Sequence, residues 1–115
     1  MRKLLIVAMI SLLLPAIAMA QFTGATARGQ TSTVAQAQKA RVDTYVTLTG
    51  NIVSHLREDY YTFRDSTGEI RVEIEPEVWR NRKVGPDTTV RLLAEVDRNA
   101  AGTLYLWVQS LEIVN

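Results

Sequence analysis

Hydrophobic and polar residues alternate along most of the chain after Asp43. A period of two places successive side chains on opposite faces and is typical of a half-buried β-strand. The clearest example is the hairpin Tyr60–Glu75, whose two strands flank the turn Asp65–Gly68. The alternation predicts five strands, which run over residues 45–52, 60–64, 70–75, 90–97 and 104–113.

Two of these strands carry an irregularity. Gly50 interrupts the first one, and a glycine inside a strand indicates a bulge or a sharp bend. In the fifth strand the apolar positions change parity after Val108, which predicts a bulge near Gln109 and Ser110. A long, bent first strand suits a closed sheet, because such a strand pairs at both of its ends.

Two short helices are also predicted. The hydroxyl of Thr33 can accept a hydrogen bond from a backbone N–H that a helix start leaves unpaired, so a helix is expected at Val34–Ala40. Pro76 suits the first position of a helix, which predicts a second one at Glu77–Arg80. We expect Trp79, on that helix, to close one end of the core.

The order of the elements is helix, three strands, short helix and two strands, which is the order of an OB-fold. An open α+β sheet is the competing architecture. It would leave edge strands unprotected, and residues 103–113 are apolar enough to make such an edge an aggregation hazard. The sequence therefore predicts an all-β, five-stranded OB-fold barrel with a short helix before it and another between its third and fourth strands.

The first twenty residues have the features of a cleaved signal peptide. Arg2 and Lys3 precede the apolar run Leu4–Leu14, and Ala18–Ala20 offers small residues to a signal peptidase, with cleavage expected before Gln21. The alternative is a membrane anchor, but the run is shorter than the roughly 20 residues that span the hydrocarbon core. The predicted organisation is a signal peptide over 1–20, a flexible leader over 21–32 and an OB-fold domain over 33–115.

Composition narrows the function classes. The 115 residues include no Cys and one His, which excludes a disulfide framework, a thiolate metal site, a cysteine nucleophile and a pair of His ligands. Loss of Arg2 and Lys3 with the signal peptide leaves 11 of the 13 basic residues against 12 acidic ones, a formal net charge of −1. Such a chain lacks the broad positive field that drives nucleic-acid binding.

One cluster has side chains that suit metal or acid–base chemistry. His55, Glu58 and Asp59 offer a nitrogen and two carboxylates, but their spacing matches no recognised ligand motif. We favour a solvated loop between the first two strands at this place. We expect no catalytic residue, no metal and no cofactor.

The outward positions of the second and third strands form the candidate binding surface, because these faces and the adjacent loops bind ligands in OB-folds. Glu73 and Asp59 can pair with a cationic ligand, and Arg64 and Arg71 with an anionic one. The alternative is a set of cross-strand ion pairs on a wet surface. The outward residues are Tyr60, Thr62, Arg64, Arg71, Glu73 and Glu75, with Arg57 and Arg98 at the rim.

Two aromatic residues, Tyr105 and Trp107, alternate with the inward positions of the fifth strand. Exposed rings at this spacing form a stacking platform for a sugar ring or a protein partner. Alternatively, the N-terminal helix or the leader with Phe22 covers them, and we expect that arrangement for Trp107.

Three segments together resemble a known family. Val46–Val53, Tyr61–Ile74 and Glu95–Asp97 are similar to the bacterial OB-fold family of exported stress-tolerance proteins, the YgiW/YdeI-like group. The resemblance implies a small soluble protein of the periplasm, made in response to stress and without known catalytic residues. It also implies a barrel that binds a small or peptidic ligand rather than nucleic acid. Asn81 departs from the family, which often has Gly two residues after Trp79.

We therefore expect an exported, non-enzymatic OB-fold protein that supports envelope stress tolerance. It would bind a small, glycan or peptide ligand or an envelope protein, as a monomer or weak oligomer with no membrane span after cleavage. The alternative is an OB-fold that binds single-stranded nucleic acid through its outward aromatic rings. An enzyme is the third hypothesis, and it would need a metal-activated water near His55.

Overall fold

The computed structural model describes residues 30–114. The predicted signal peptide over 1–20, Phe22 and most of the predicted leader lie outside the described residues. Within residues 30–114, no helix is both long and apolar enough to cross a membrane. The elements are β1 (Gln30–Thr31), α1 (Val34–Ala37), β2 (Tyr45–Arg57), β3 (Tyr60–Asp65), β4 (Gly68–Glu73), α2 (Pro76–Trp79), β5 (Thr89–Arg98) and β6 (Leu104–Ile113).

Five of the strands close into a barrel. The hydrogen-bonded order is β2–β3–β4–β6–β5, and β5 pairs back onto β2 along Tyr45–Asn51. Within the barrel, neighbouring strands are antiparallel except β4 and β6, which pair in parallel. The predicted five-stranded OB-fold barrel with two short helices is confirmed, and the closure from β5 to β2 excludes the open sheet.

The short strand β1 lies in the last part of the predicted leader. Gln30 pairs with Val46 and Thr31 with Thr47 in parallel, and the backbone N–H of Ser32 donates to the carbonyl of Thr47 at 2.9 Å. The end of the leader is therefore attached to the edge of β2. No alternation marks a polar two-residue strand, so the sequence pattern does not predict it.

Gly50 lies where β2 changes partners. The strand pairs with β5 up to Asn51 and with β3 from Asn51 onward. A Cβ atom at Gly50 would lie 2.9 Å from the ring of Phe63 and closer still to the carbonyl oxygen of Arg64. The register has no shift at Gly50, so the predicted bulge is not at this residue; Gly50 instead permits a close approach of two backbones.

The core fills the barrel from alternate positions of the long strands. Phe63, Leu48 and Ile74 are among its largest fully buried side chains. Tyr61 and Trp79 are partly buried and pack against this core, as expected for a helix that closes one end of the barrel. The buried apolar residues are Val34, Ala37, Val46, Leu48, Ile52, Phe63, Ile70, Val72, Ile74, Val90, Leu92, Ala94, Val96, Leu106, Val108 and Leu111.

Helix α1 begins with the predicted cap. The hydroxyl of Thr33 accepts from the N–H of Gln36 at 3.2 Å, and the Gln36 side chain accepts from the N–H of Thr33 at 2.9 Å, which makes a capping box. The carboxylate of Asp65 accepts from the N–H of Val34 at 2.9 Å. The helix ends at Ala37, three residues before the predicted end, because the N–H groups of Lys39 and Ala40 bond carbonyls only three residues back.

Helix α2 begins one residue before its predicted start and ends at Trp79. Arg80 and Asn81 follow it with φ values of 54° and 60°, in the left-handed region. The guanidinium of Arg82 donates to the carbonyls of Val78 and Trp79 at 2.9 Å each, which satisfies the end of the helix. Asn81 therefore occupies a conformation that glycine adopts without strain.

The bulge predicted in the last strand is confirmed. Leu93 pairs with Ser110 and Ala94 with Val108, so Gln109 is the extra residue on β6. It turns Leu111 inward, because one added residue reverses the faces of a strand, whereas Ile113 at the end of the strand is exposed.

Candidate functional site

Four neighbouring strands, β3, β4, β6 and β5, present their outward side chains on one face of the barrel. Tyr60 lies opposite Glu73, Glu73 beside Trp107, and Trp107 opposite Glu95. An aromatic ring and a carboxylate therefore alternate across four strands. We call this surface the aromatic–carboxylate face, and it consists of Tyr60, Thr62, Arg71, Glu73, Glu95, Asp97, Tyr105 and Trp107.

Two tyrosines form its aromatic centre. The rings of Tyr60 and Tyr105 meet edge to face, with centroids 5.9 Å apart. The Tyr105 hydroxyl donates to the carboxylate of Asp97 at 3.3 Å. Burial, followed by the charges of Asp97 and Glu73, raises the pKa of Tyr105 to about 12. The hydroxyl therefore stays protonated at neutral pH and remains a hydrogen-bond donor.

The surroundings of two carboxyl groups on the face disfavour their ionised form. Burial, followed by the charges of Glu75 and Asp59, raises the pKa of Glu73 above its usual range. Burial, followed by a hydrogen bond to Asp43 and the charge of that residue, raises the pKa of Glu95. Desolvation and like charge both disfavour the ionised form, so the face holds more negative charge than its own groups compensate.

Arg71 is the basic residue within the face. Its guanidinium lies over the ring of Tyr60, 5.8 Å from the ring centroid, and Thr62 is its partner across the hairpin. The ion pairs found within residues 30–114 join Arg64 to Glu69 at 3.0 Å and Arg91 to Glu112 at 2.8 Å. The cross-strand ion-pair alternative therefore holds for the Arg64 end of the hairpin and not for Arg71.

The structure brings four of the predicted site residues together, namely Tyr60, Thr62, Arg71 and Glu73. Three arginines lie around them rather than among them. Arg57 is at the turn that leads into β3, opposite Tyr60. Arg98 donates to the carbonyl of Gly102 at 2.9 Å in the turn between β5 and β6.

Arg64 lies at the far end of the hairpin. Beyond its ion pair with Glu69, it lines an open groove of about 530 Å³. The groove runs between β1, the end of β3 and the edge of β2 at Thr49, and hydroxyl-bearing residues make up much of its wall. Arg64 thus belongs to a different surface region from Glu73.

The parallel pairing of β4 and β6 adds residues that the sequence pattern did not assign to the site. Trp107 is 37% exposed, so the N-terminal helix does not cover it, and the leader with Phe22, the other predicted cover, lies outside the described residues. Helix α1 packs against β4 instead. Glu95 and Asp97 join the face from β5. Their outward parity was visible in the sequence, but their place beside the hairpin depends on the strand order of the barrel.

The surroundings of His55 differ from the predicted loop. β2 continues to Arg57, and His55 pairs with Tyr61 on β3. Irregular register after Ile52 and again after His55 interrupts the alternation there. The Nε2 atom of His55 lies 2.7 Å from the carbonyl oxygen of Glu58. Residues 30–114 contain no group of three or more metal-ligating side chains.

Aromatic rings next to His55 line a second, smaller groove. The rings of His55 and Tyr61 are 4.7 Å apart, and those of Tyr61 and Trp79 are 5.2 Å apart. The groove has a volume of about 190 Å³ and continues along Val84 and Pro86. Its rings largely pack on one another, so the aromatic–carboxylate face is the broader candidate for binding.

A closed barrel of five strands in this order, with a helix between the third and fourth, defines the OB-fold class. Within that class, the chain belongs to the Bacterial OB fold (BOF) protein family, whose profile matches residues 14–112. The family expected from the three sequence segments is confirmed.

Known relatives agree with this assignment. The chain is 39% identical over 102 residues to the calcium-regulated OB-fold protein CarO of Pseudomonas aeruginosa. The aligned region covers 89% of this chain and 88% of that protein. The structure of the hypothetical protein YgiW from Escherichia coli superposes with a TM-score of 0.70 at 37% identity, over 75% of this chain and 91% of that chain.

A distant structural similarity shows what likeness of fold alone can establish. The telomere capping protein Ten1 from S. pombe superposes with a TM-score of 0.56 at 9% identity, over 74% of this chain and 80% of that one. At that identity the likeness establishes the barrel and nothing about the ligand.

Proposed function

We propose that this protein is an exported, non-enzymatic binding protein of the bacterial envelope that contributes to stress tolerance. It holds a small, glycan or peptide ligand, or a partner protein, on the aromatic–carboxylate face. The observation that carries the proposal is the exposure of Trp107 at the centre of a row of alternating rings and carboxylates. An exposed indole has hydrophobic area that a bound partner can bury.

Export is supported by the basic start, the apolar run and the small residues before Gln21. Expression of the full 115-residue chain in a Gram-negative host, followed by cell fractionation and intact-mass measurement, tests it. We expect the protein in the periplasmic fraction with Gln21 as its first residue. An uncleaved chain in the membrane fraction would contradict export in this form.

A role that depends on conditions is supported by one relative, because CarO is named as calcium-regulated. Growth of a deletion strain under envelope stress, with the gene restored as wild type or as a face variant, measures this role. We expect wild type to restore growth and the variant Trp107→Ser with Glu73→Gln to fail.

Binding at the face is tested by capture from a periplasmic extract. The immobilised protein is compared with Trp107→Ser/Glu73→Gln and with a matched control, Leu56→Ser/Glu77→Gln. The control also removes one carboxylate charge and one exposed apolar side chain, at residues that do not belong to the face; Leu56 is 46% exposed. We expect the face variant alone to lose the captured ligand; equal capture by all three proteins would refute the proposed face.

Nucleic acid is a poor match for this face. Phosphates would meet Glu73, Glu95 and Asp97, and Arg71 is the basic residue among them. Fluorescence anisotropy with a labelled single-stranded oligonucleotide at low salt is expected to give no binding. Salt-dependent binding that Arg71→Ala removes would overturn this.

A further inference from the structure

The row Glu73–Trp107–Glu95 has a defined spacing. Glu73 lies on β4, Trp107 on the adjacent β6 and Glu95 on the next strand, β5, each in register with its neighbour. Strands in a sheet are about 4.8 Å apart, so the two carboxylate positions are separated by roughly 10 Å with an indole between them. The row therefore has two anionic ends and an apolar middle.

Among residues 30–114, no ion pair is found at either end of the row. Within residues 30–114 the ion pairs formed by Arg64 and Arg91 lie elsewhere, and Arg71 is placed over Tyr60. Burial raises the pKa of both groups; the charges of Glu75 and Asp59 raise that of Glu73 further, and a hydrogen bond with Asp43 and the charge of Asp43 raise that of Glu95. A bound cation at each end would remove this penalty.

The rings on the face indicate an organic cation. The guanidinium of Arg71 over Tyr60 is an intramolecular example of a cation resting on an aromatic ring of this surface. Trp107, the ring between the two carboxylates, is 37% exposed. Indole is the best of the aromatic side chains for such contacts, and it also packs against methylene groups.

A bare divalent ion fits the row less well. Protein oxygens lie about 2.3–2.6 Å from a bound calcium ion, so carboxylates roughly 10 Å apart cannot share one. A ligand that satisfies both ends has to bridge them.

We propose that the aromatic–carboxylate face binds a linear organic polycation, with ammonium groups at Glu73 and Glu95 and its aliphatic chain across Trp107. This inference rests on the proposed function, since it names the ligand class for the same face. The sequence predicts a surface of mixed charge, and the structure adds two acidic residues, Glu95 and Asp97, to that surface.

Isothermal titration of the protein produced from the full chain, with two diamines of equal charge, tests the spacing. The seven-carbon chain of 1,7-diaminoheptane can cross the Trp107 ring with an ammonium group at each carboxylate, whereas the three-carbon chain of 1,3-diaminopropane is too short to cross that ring. We expect the longer diamine to bind at least about 5-fold more tightly, the value of one surface ion pair near the top of its usual range. Equal affinities would overturn the two-ended site.

Variants then assign the contacts. Glu73→Gln/Glu95→Gln is expected to weaken 1,7-diaminoheptane roughly 10-fold or more, and Trp107→Leu about 2- to 5-fold. The control Glu77→Gln/Asp87→Asn has the same net charge change on exposed positions away from the face and is expected to leave the affinity unchanged. If the control variant weakens binding equally, net charge alone explains the loss of affinity, and the proposed site is overturned.

A second measurement separates a binding defect from a folding defect. The neutralised variant Glu73→Gln/Glu95→Gln is expected to melt no lower than wild type, because it removes like-charge repulsion. In wild type, the ligand is expected to shift the NMR signal of the Trp107 indole N–H, assigned by its loss in Trp107→Leu. Unchanged Trp107 signals at saturation would overturn the proposed location.

Other ligands give distinct outcomes. Tighter binding of calcium than of any diamine, or of a Lys-Gly-Lys peptide than of 1,7-diaminoheptane, would overturn the assignment to a small polycation. In those cases the proposed function stands if the capture experiment still depends on Trp107 and Glu73. If capture does not depend on them, the proposed function fails as well.

Discussion

Substitution of Gly50 by alanine tests how the barrel is closed. The added Cβ would lie 2.9 Å from the Phe63 ring and even closer to the carbonyl oxygen of Arg64, which is backbone and cannot rotate away. Overpacking of a core costs roughly 1–3 kcal/mol, and displacing the Asn51–Arg64 pair leaves backbone groups unsatisfied at a further cost of about 1–3 kcal/mol. We expect the free energy of unfolding to fall by about 3 kcal/mol or more.

Urea denaturation followed by far-UV circular dichroism measures this loss. With an m-value near 1 kcal/mol/M for a domain of this size, the midpoint is expected to fall by about 3 M. Since small domains have a total stability of about 5–15 kcal/mol, the variant would be largely unfolded at modest urea concentrations.

Two other glycines separate steric overlap from backbone conformation. Gly85→Ala meets nothing within 4 Å and is expected to be neutral or to stabilise by about 0.4–1 kcal/mol. Gly102→Ala also meets no neighbour but has a φ of 85°, so a cost of about 1–2 kcal/mol is expected from conformation alone. If Gly50→Ala is no more destabilised than Gly85→Ala, the close approach of β2 and β3 is not what requires glycine.

Three further predictions concern stability. Burial opposes ionisation of Asp65, but hydrogen bonds from Thr67 and Val34 outweigh it and hold its pKa below 3.8. The stability that these hydrogen bonds contribute is therefore expected to disappear as pH falls below that value, and Asp65→Ala is expected to lower the free energy of unfolding by about 1–2 kcal/mol at pH 7, measured by urea titration. Burial and nearby carboxylates raise the pKa of Glu73 above 4.5, so stability is expected to fall as pH rises through that raised pKa, and Glu73→Gln to flatten the pH profile of the melting temperature there. Asn81, at a φ of 60°, is expected to gain up to about 1 kcal/mol on change to Gly and to lose about 1–2 kcal/mol on change to Val, read from thermal melts.

Much of the barrel is predictable from the sequence because the relevant patterns are local. Alternation identifies β3 and β4 within a few residues of their ends, and the parity change at Gln109 locates the bulge in β6. Thr33 caps its helix through neighbours three residues away, so the pattern that predicts it is short. Each of these features depends on the chain within one turn or one strand.

The outer half of β2 escaped prediction for a physical reason. Register irregularities after Ile52 and after His55 break the alternation, and the side chains from Ser54 to Arg57 are exposed. A strand without a buried face carries no period-two pattern, so this part of the chain looked like a loop. The structure places it in the ladder because Tyr60 and Tyr61 pair with it.

The candidate face was predictable only up to the edge of the hairpin. Tyr60 and Glu73 share a face by local alternation, whereas the position of Trp107 beside Glu73 depends on a parallel pair that the sequence does not mark. An OB-fold strand order would place β6 next to β4, but the register of that pair decides which outward residues meet. It is this register that turns two separate observations, a mixed-charge hairpin and an aromatic strand, into one surface.

The same surface explains why likeness of fold is a poor guide to ligand in this class. Ten1 shares the barrel at 9% identity, so the inward positions can be filled by many sequences of similar volume. The outward row of Glu73, Trp107 and Glu95 does not fill the interior of the barrel. Burial and nearby carboxyl groups raise the pKa of Glu73 and of Glu95, so ionisation of these two groups is expected to disfavour the folded state. The barrel does not need this row for its packing. Binding would explain why the row is present, because a ligand that binds only the folded state stabilises that state and offsets the cost of ionising the two carboxyl groups. The relation between stability and binding in Glu73→Gln/Glu95→Gln therefore decides between a functional surface and an incidental one.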